Sequence, residues 1–208
     1  EKTIEPKDLD IKVVNVVASV TLDQKLDLID IMKTFNYTRV EYRPKQFPGL
    51  VFRLKKPKTA HLIFSTGKMV CTGAKSKKLA HRAVHKVVRE LKNEGIIILK
   101  KPKIVIQNMV ASANFKKNID LETAFDILDN TMYEPEQFPG LIYRMKNPKT
   151  VLLLFSSGKI VCTGAKSEEM VNESVINMYN ILQDYELLFT PGDFSNQQVP
   201  RIKLTFKR

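Results

Sequence analysis

The sequence predicts an α+β fold in which two copies of one unit join in a single ten-stranded antiparallel sheet with helices on one face. Three observations carry this. Residues 44–76 are written again as residues 135–167, offset by 91, with 23 of 33 positions identical. Within each copy, β-branched runs alternate with amphipathic helical stretches. The net charge of +12 is split unevenly, +12 over residues 12–95 and −4 over 108–188, so the copies share a pattern but not an outer surface. A period near 90 residues is too long for a solenoid unit and fits half of a pseudo-two-fold domain.

Residues 12–22 (KVVNVVASVTL) are dense in β-branched side chains and read as a strand holding Asn15. Leu28, Ile31, Met32 and Phe35 recur at helical spacing, a short amphipathic helix over 27–35. A brief strand over 40–43 gives way to the turn pair Pro48-Gly49. Strands follow over 50–55 and 59–65, and Gly67-Lys68 turn the chain into a strand over 69–74. Ser76 is suited to cap a helix, because its hydroxyl accepts a backbone N–H that the first turn leaves unpaired. That helix has Leu79, Ala83, Val84, Val87, Val88 and Leu91 on one side, and Gly95 stops it. Its other side carries Lys78, Arg82, His85, Lys86, Arg89 and Lys92.

The second copy restarts at Lys103, and Asn108 matches Asn15 at an offset of 93, so the first copy holds two extra residues in or beside its first helix. Ser167 caps the second long helix, where Glu168, Glu169 and Glu173 replace basic residues. The expected organisation is a first repeat over 12–95, a linker and strand start over 96–107, a second repeat over 108–188 and a basic extension over 189–208.

A hydrophobic content of 43% with 27% charged residues fits a globular protein, and no apolar run approaches the ~18 residues of a membrane span. The opening EKTIEPKDLD does not read as a signal peptide. Cys71 and Cys162 occupy one repeat position and read as small buried strand residues; neither has a second Cys or His at ligand spacing, so no metal is expected. His61, His81 and His85 lie only in the first copy, and none pairs with an obvious nucleophile. Neither an enzyme nor a cofactor is called for. The basic balance favours nucleic acid as a partner.

Strand alternation sorts side chains onto two faces. With helices on the Cys71 side, the open face collects Asn15, Val17, Leu62, Phe64, Val70 and Thr72, and its copy Asn108, Val110, Leu153, Phe155, Val161 and Thr163. Such a face is apolar, with two Asn, two Thr and no carboxylate. It suits the DNA minor groove, where A·T pairs show only acceptors. Arg53 and Lys68, with Arg144 and Lys159, supply cations at its rim.

QNMVASANF, EQFPGLIYRM and LLFSSGKIVCTGAKS, with their first-repeat copies, resemble the TATA-box-binding protein family across about residues 12–188. The resemblance implies a saddle-shaped sheet, helices on its convex face, whose concave face sits in the minor groove of double-stranded TATA-box DNA. It implies that Phe47, Phe64, Phe138 and Phe155 intercalate, that Asn15, Asn108, Thr72 and Thr163 meet base edges, and that Val17, Val70, Val110 and Val161 line the groove. Arg53, Lys68, Arg144 and Lys159, and with less direct correspondence Lys58 and Lys149, would contact phosphates. The loop holding Glu134 and Glu136 would dock transcription factor B, ahead of RNA polymerase in the preinitiation complex. The basic helix face between Lys78 and Lys92 reads first as a solvated face, with docking of upstream DNA or a regulator as the functional alternative. Gln46 stands where eukaryotic relatives tend to carry a basic residue, so the match leans to the archaeal branch, whose usual acidic tail is missing. An archaeal nucleoid, or a nucleus if the source is eukaryotic, is the expected location. Competing readings are a paralogue for another promoter element, a nucleic-acid-processing accessory domain, and a protein–protein adaptor.

Overall fold

The computed structural model describes residues 6–35 and 38–190; most of the extension expected over 189–208 lies outside the described residues. A 3-10 turn, Pro6–Leu9, leads into β1 (Lys12–Thr21), α1 (Leu28–Thr34), β2 (Val40–Glu41), β3 (Leu50–Leu54), β4 (Thr59–Ile63), β5 (Lys68–Ala74) and α2 (Lys77–Asn93). The second copy repeats the order as β6 (Lys103–Asn114), β7 (Asn118–Ile119), α3 (Leu121–Ile127), β8 (Thr131–Met132), β9 (Leu141–Met145), β10 (Thr150–Leu154), β11 (Lys159–Ala165) and α4 (Glu168–Asp184), followed by β12 (Leu188–Phe189). Ten strands form one antiparallel saddle sheet in the order β2-β3-β4-β5-β1-β6-β11-β10-β9-β8. The pseudo-two-fold axis therefore runs between β1 and β6.

One detail differs from the pattern expected. β7 and β12 pair in a small second sheet; two-residue strands carry no readable periodicity. The offset is 93 from α1 to α3 and 91 from β2 to β8, which places the two extra residues between α1 and β2.

The core lies between the sheet and the long helices, α2 on β5 and β1, α4 on β11 and β6. Ser76 Oγ accepts from Leu79 N–H (3.1 Å) and Ser167 Oγ from Met170 N–H (3.2 Å), so both expected caps form. Val84, Val87 and Leu91 on α2, and Val175, Met178 and Leu182 on α4, are fully buried. No helix among the described residues is long and apolar enough to cross a membrane.

One core position distinguishes the copies. His61 is fully buried, with Thr59 Oγ1 3.1 Å from Nε2 and no partner for Nδ1. Burial pushes its imidazole down to about 4. At the matching place the second copy has Leu152, and there Thr150 Oγ1 donates to Ser174 Oγ (2.9 Å).

Candidate nucleic-acid interface

The face away from the helices is built by period-two alternation. On β1, Val16, Ala18 and Val20 are buried while Asn15, Val17 and Ser19 are half-buried. β5 and β11 repeat this: Met69 and Cys71, Ile160 and Cys162 face the core, leaving Val70, Thr72, Val161 and Thr163 on the open side. Leu62 of β4, Leu153 of β10, and Asn108 and Val110 of β6 complete the floor. All ten floor residues predicted from the sequence share this face. Across the central pair, Asn15 stands opposite Val110 and Val17 opposite Asn108, so the two amides flank the pseudo-two-fold axis.

Each amide is oriented by its neighbour strand. Gly73 N–H donates to Asn15 Oδ1 at 2.7 Å, and Gly164 N–H to Asn108 Oδ1 at 2.7 Å. Thr72 Oγ1 lies 3.3 Å from Asn15 Oδ1, and Asn108 Nδ2 donates to Thr163 Oγ1 at 3.2 Å. With the oxygens held by backbone donors, the NH2 ends keep donor capacity, in Asn108 beyond the bond to Thr163, and would suit acceptors.

Four phenylalanines, Phe47 and Phe138 exposed and Phe64 and Phe155 half-buried, pair at opposite corners. Phe47 and Phe64 meet edge to face, centroids 5.8 Å apart at 66°, and Phe138 and Phe155 repeat this at 5.8 Å and 69°. Phe47 and Phe138 remain 38% and 37% exposed, unusual for rings that could have been buried. Backbone turns hold them there: Phe47 N–H donates to Arg43 O (3.0 Å) and Phe138 N–H to Glu134 O (2.9 Å). Phe64 and Phe155 precede tight turns at Gly67 (φ 79°) and Gly158 (φ 81°). A Cβ on Gly49 would meet Phe47 Cε1 at 2.6 Å and Phe64 Cε1 at 3.0 Å, and one on Gly140 would meet Phe138 and Phe155 at 2.7 and 3.0 Å. Glycine is what lets the rings lie on the strand.

Cations ring the floor. Lys68 lines a hollow with Phe64 and Val70, and Lys159 one with Phe155 and Val161. Arg53 and Lys58 line another with Asn15 and Thr72. Arg53 also ion-pairs with Glu41 (3.4 Å), whereas Met132 stands at that place beside Arg144. Lys149 is exposed between β9 and β10. Glu134 and Glu136 are exposed on the turn that carries Phe138, at the end of the sheet. The basic side of α2 projects from the opposite, helix-covered face.

Val51 and Ile142 also belong to the floor, opposite Leu62 and Leu153, and were not among the residues predicted. The signal was present: Phe52 and Leu54 face inward, so Val51 shares the side of Arg53. Burial pushes the Cys71 and Cys162 thiols up to about 11, and both stay inside the core. Among the described residues, no three His, Cys, Asp or Glu side chains gather as a metal site would need.

Comparison with known proteins gives one family. The profile described as "Transcription factor TFIID (or TATA-binding protein, TBP)" matches residues 10–94 and again 103–185. A TATA-box-binding protein of Pyrodictium occultum is 57% identical over 169 residues, covering 81% of this chain and 84% of its own. One from Sulfurisphaera tokodaii is 52% identical over 176 residues, covering 85% and 88%. The solved structure of Methanococcus jannaschii TBP superposes with a TM-score of 0.77 at 46% identity, covering 84% of this chain and 98% of that one.

Proposed function

Because this chain belongs to the TATA-box-binding protein family, we propose that it is a general transcription initiation factor that grips the minor groove of a TATA box. In this reading Phe47, Phe64, Phe138 and Phe155 wedge between base steps and bend the promoter. The bent complex then seeds preinitiation-complex assembly with transcription factor B and RNA polymerase. The observation that carries the reading is the open face itself: an apolar floor, repeated about a two-fold axis, with a phenylalanine pair at each end, one ring of each exposed.

The chemistry follows from the residues. An A·T pair presents only adenine N3 and thymine O2 in the minor groove, while a G·C pair adds the guanine amino group. The Asn15 and Asn108 NH2 groups match the acceptors. Val17, Val70, Val110 and Val161 offer nothing to accept a guanine N–H, so G·C at the centre would leave that donor desolvated and unpaired. Bending a site costs on the order of 1–6 kcal/mol, and members of this family are themselves the usual cases of wedge-kinked DNA. If each ring removes about 100 Å² from water, four recover on the order of 10 kcal/mol at ~25 cal/mol/Å². The wedges thus offset the deformation, and flexible TA steps are favoured because they unstack most cheaply.

Arg53, Lys58, Lys68, Arg144, Lys149 and Lys159 are assigned to phosphates. Glu134 and Glu136 are assigned to transcription factor B, and the basic side of α2, from Lys78 to Lys92, to upstream DNA or a regulator. The relatives above are archaeal, and the place of action is then an archaeal nucleoid. Neither catalysis nor a cofactor enters this mechanism. The repeats over 12–95 and 108–188, joined through 96–107, act as one grip.

The test is bending measured by energy transfer on an end-labelled TATA duplex against a G·C-substituted duplex, across a salt series. Bending confined to TATA is expected, with log K falling against log salt at a slope of about −5 for six phosphates. Binding without bending, or equal binding to both duplexes, would assign the open face to another use.

A further inference from the structure

The outer flank, where each long helix meets the edge of the sheet, is built differently in the two copies. In the first, Arg39 closes it. Its guanidinium lies 5.3 Å from the centre of the Phe52 ring and pairs with Glu90 of α2. Phe35 packs edge-on against the same ring at 5.0 Å, and Phe52 is fully buried. The backbone fixes the correspondence: Arg53 N–H donates to Arg39 O (2.8 Å) as Arg144 N–H donates to Asn130 O (3.0 Å). Asn130 thus stands for Arg39, Tyr143 for Phe52 and Ile181 for Glu90.

The second copy therefore lacks both halves of the ion pair, and a groove of about 380 Å³ is open there, lined by Asn130, Tyr143, Asn147, Asn177, Asn180 and Asp184. Tyr143 is only half-buried. Burial, then Asp129 and then Tyr185, raise its phenol, which places a second carboxylate and a second ring beside the groove. Among the described residues neither Asp129 nor Asp184 is in an ion pair.

We propose that this groove receives an arginine side chain from a protein partner, seated over Tyr143 as Arg39 is seated over Phe52. The first copy shows that this framework accepts a guanidinium on its aromatic ring. A planar group with five N–H donors matches an aromatic floor, amide oxygens and carboxylates together, where an ammonium meets only the charge. Charge complementarity agrees, since the second repeat carries −4 over residues 108–188. Lys146 sits at the rim and can screen the acids, but it does not supply the planar fork. The inference does not depend on the DNA-binding reading, because the groove lies on the flank beside α4 and away from the floor.

The probe is a blocked Gly-Arg-Gly peptide, titrated into the full chain against the same peptide carrying citrulline, with backbone amides followed by NMR. Shifts at Asn130, Tyr143, Asn177 and Asp184 are expected, saturating at about fivefold lower concentration for arginine than for its neutral isostere. Asn130→Arg with Ile181→Glu rebuilds the first copy's pair and is expected to abolish the shifts; Asp184→Asn, which leaves the packing intact, is expected to weaken them. Equal shifts with both peptides, none at these residues, or shifts undiminished in both variants would overturn the proposal. Binding that emerges only after removal of residues 191–208 would overturn the assignment to a partner, because the chain itself would then be the occupant.

Discussion

Gly49 and Gly140 leave the room in which the two phenylalanine pairs are seated. A methyl at either would push against a ring edge at 2.6 to 3.0 Å, and the ring's far end would yield before the strand does. Gly49→Ala with Gly140→Ala is therefore expected to lower TATA bending severalfold while costing about 1 kcal/mol or less in stability; comparison of bending amplitude with denaturant midpoint checks this. His61 gives a pH signature. Its folded value of about 4 lies below the ordinary 6.5, so the unfolded chain binds the extra proton in between. That stability is whole above pH 6.5 and is lost as pH falls towards 4, about 3 kcal/mol in all. His61→Leu, the residue the second copy uses, should flatten the acid side of a stability–pH curve; an unchanged acid slope would refute the assignment. The floor residues were legible because alternation needs only a parity and one inward residue, Cys71. The same parity turns His61 inward, but how completely it is buried depends on how α2 lies over β4.

The two long helices start alike and differ in charge. α2 has no acidic residue in its first turn and carries Lys77 and Lys78 against the positive end of its dipole, where α4 has Glu168 and Glu169. Keeping that face basic thus costs helix stability, and Lys78→Glu is expected to raise unfolding free energy by about 0.5 kcal/mol, measured by chemical denaturation. Among the turns, Glu134 and Glu136 are exposed on the same short loop as Phe138, and carboxylates there would be repelled by DNA phosphates. Glu134→Arg with Glu136→Arg is expected to leave DNA bending intact and to abolish the ternary complex with transcription factor B in a mobility-shift assay. Boundaries at this scale were read within one or two residues wherever a cap or turn glycine marked them, as at Ser76, Gly67 and Gly95. β7 and β12 escaped because two residues hold no period, and the flank groove because it opens where Asn130 and Ile181, far apart in sequence, replace the paired Arg39 and Glu90 of the first copy.

Across the whole sheet, five interstrand spacings separate β4 from β10, on the order of 24 Å at ~4.8 Å each. That is the rise of about seven base steps at 3.4 Å. Two kinks roughly seven steps apart are therefore expected, and a fluorescent base moved stepwise along the site should report unstacking at two positions with quiet steps between; a single central kink would contradict the placement of the ring pairs. The pseudo-two-fold axis between β1 and β6 has one more consequence. Turned end for end, the molecule offers a duplex nearly the same floor: Asn15 exchanges with Asn108, and one ring pair with the other. Polarity along a promoter is thus weakly written in the grip. On the proposed reading it would be supplied by what the two halves do not share, the acidic second repeat with its Glu134 loop and the basic first repeat, so that the partner arriving would decide which way transcription runs.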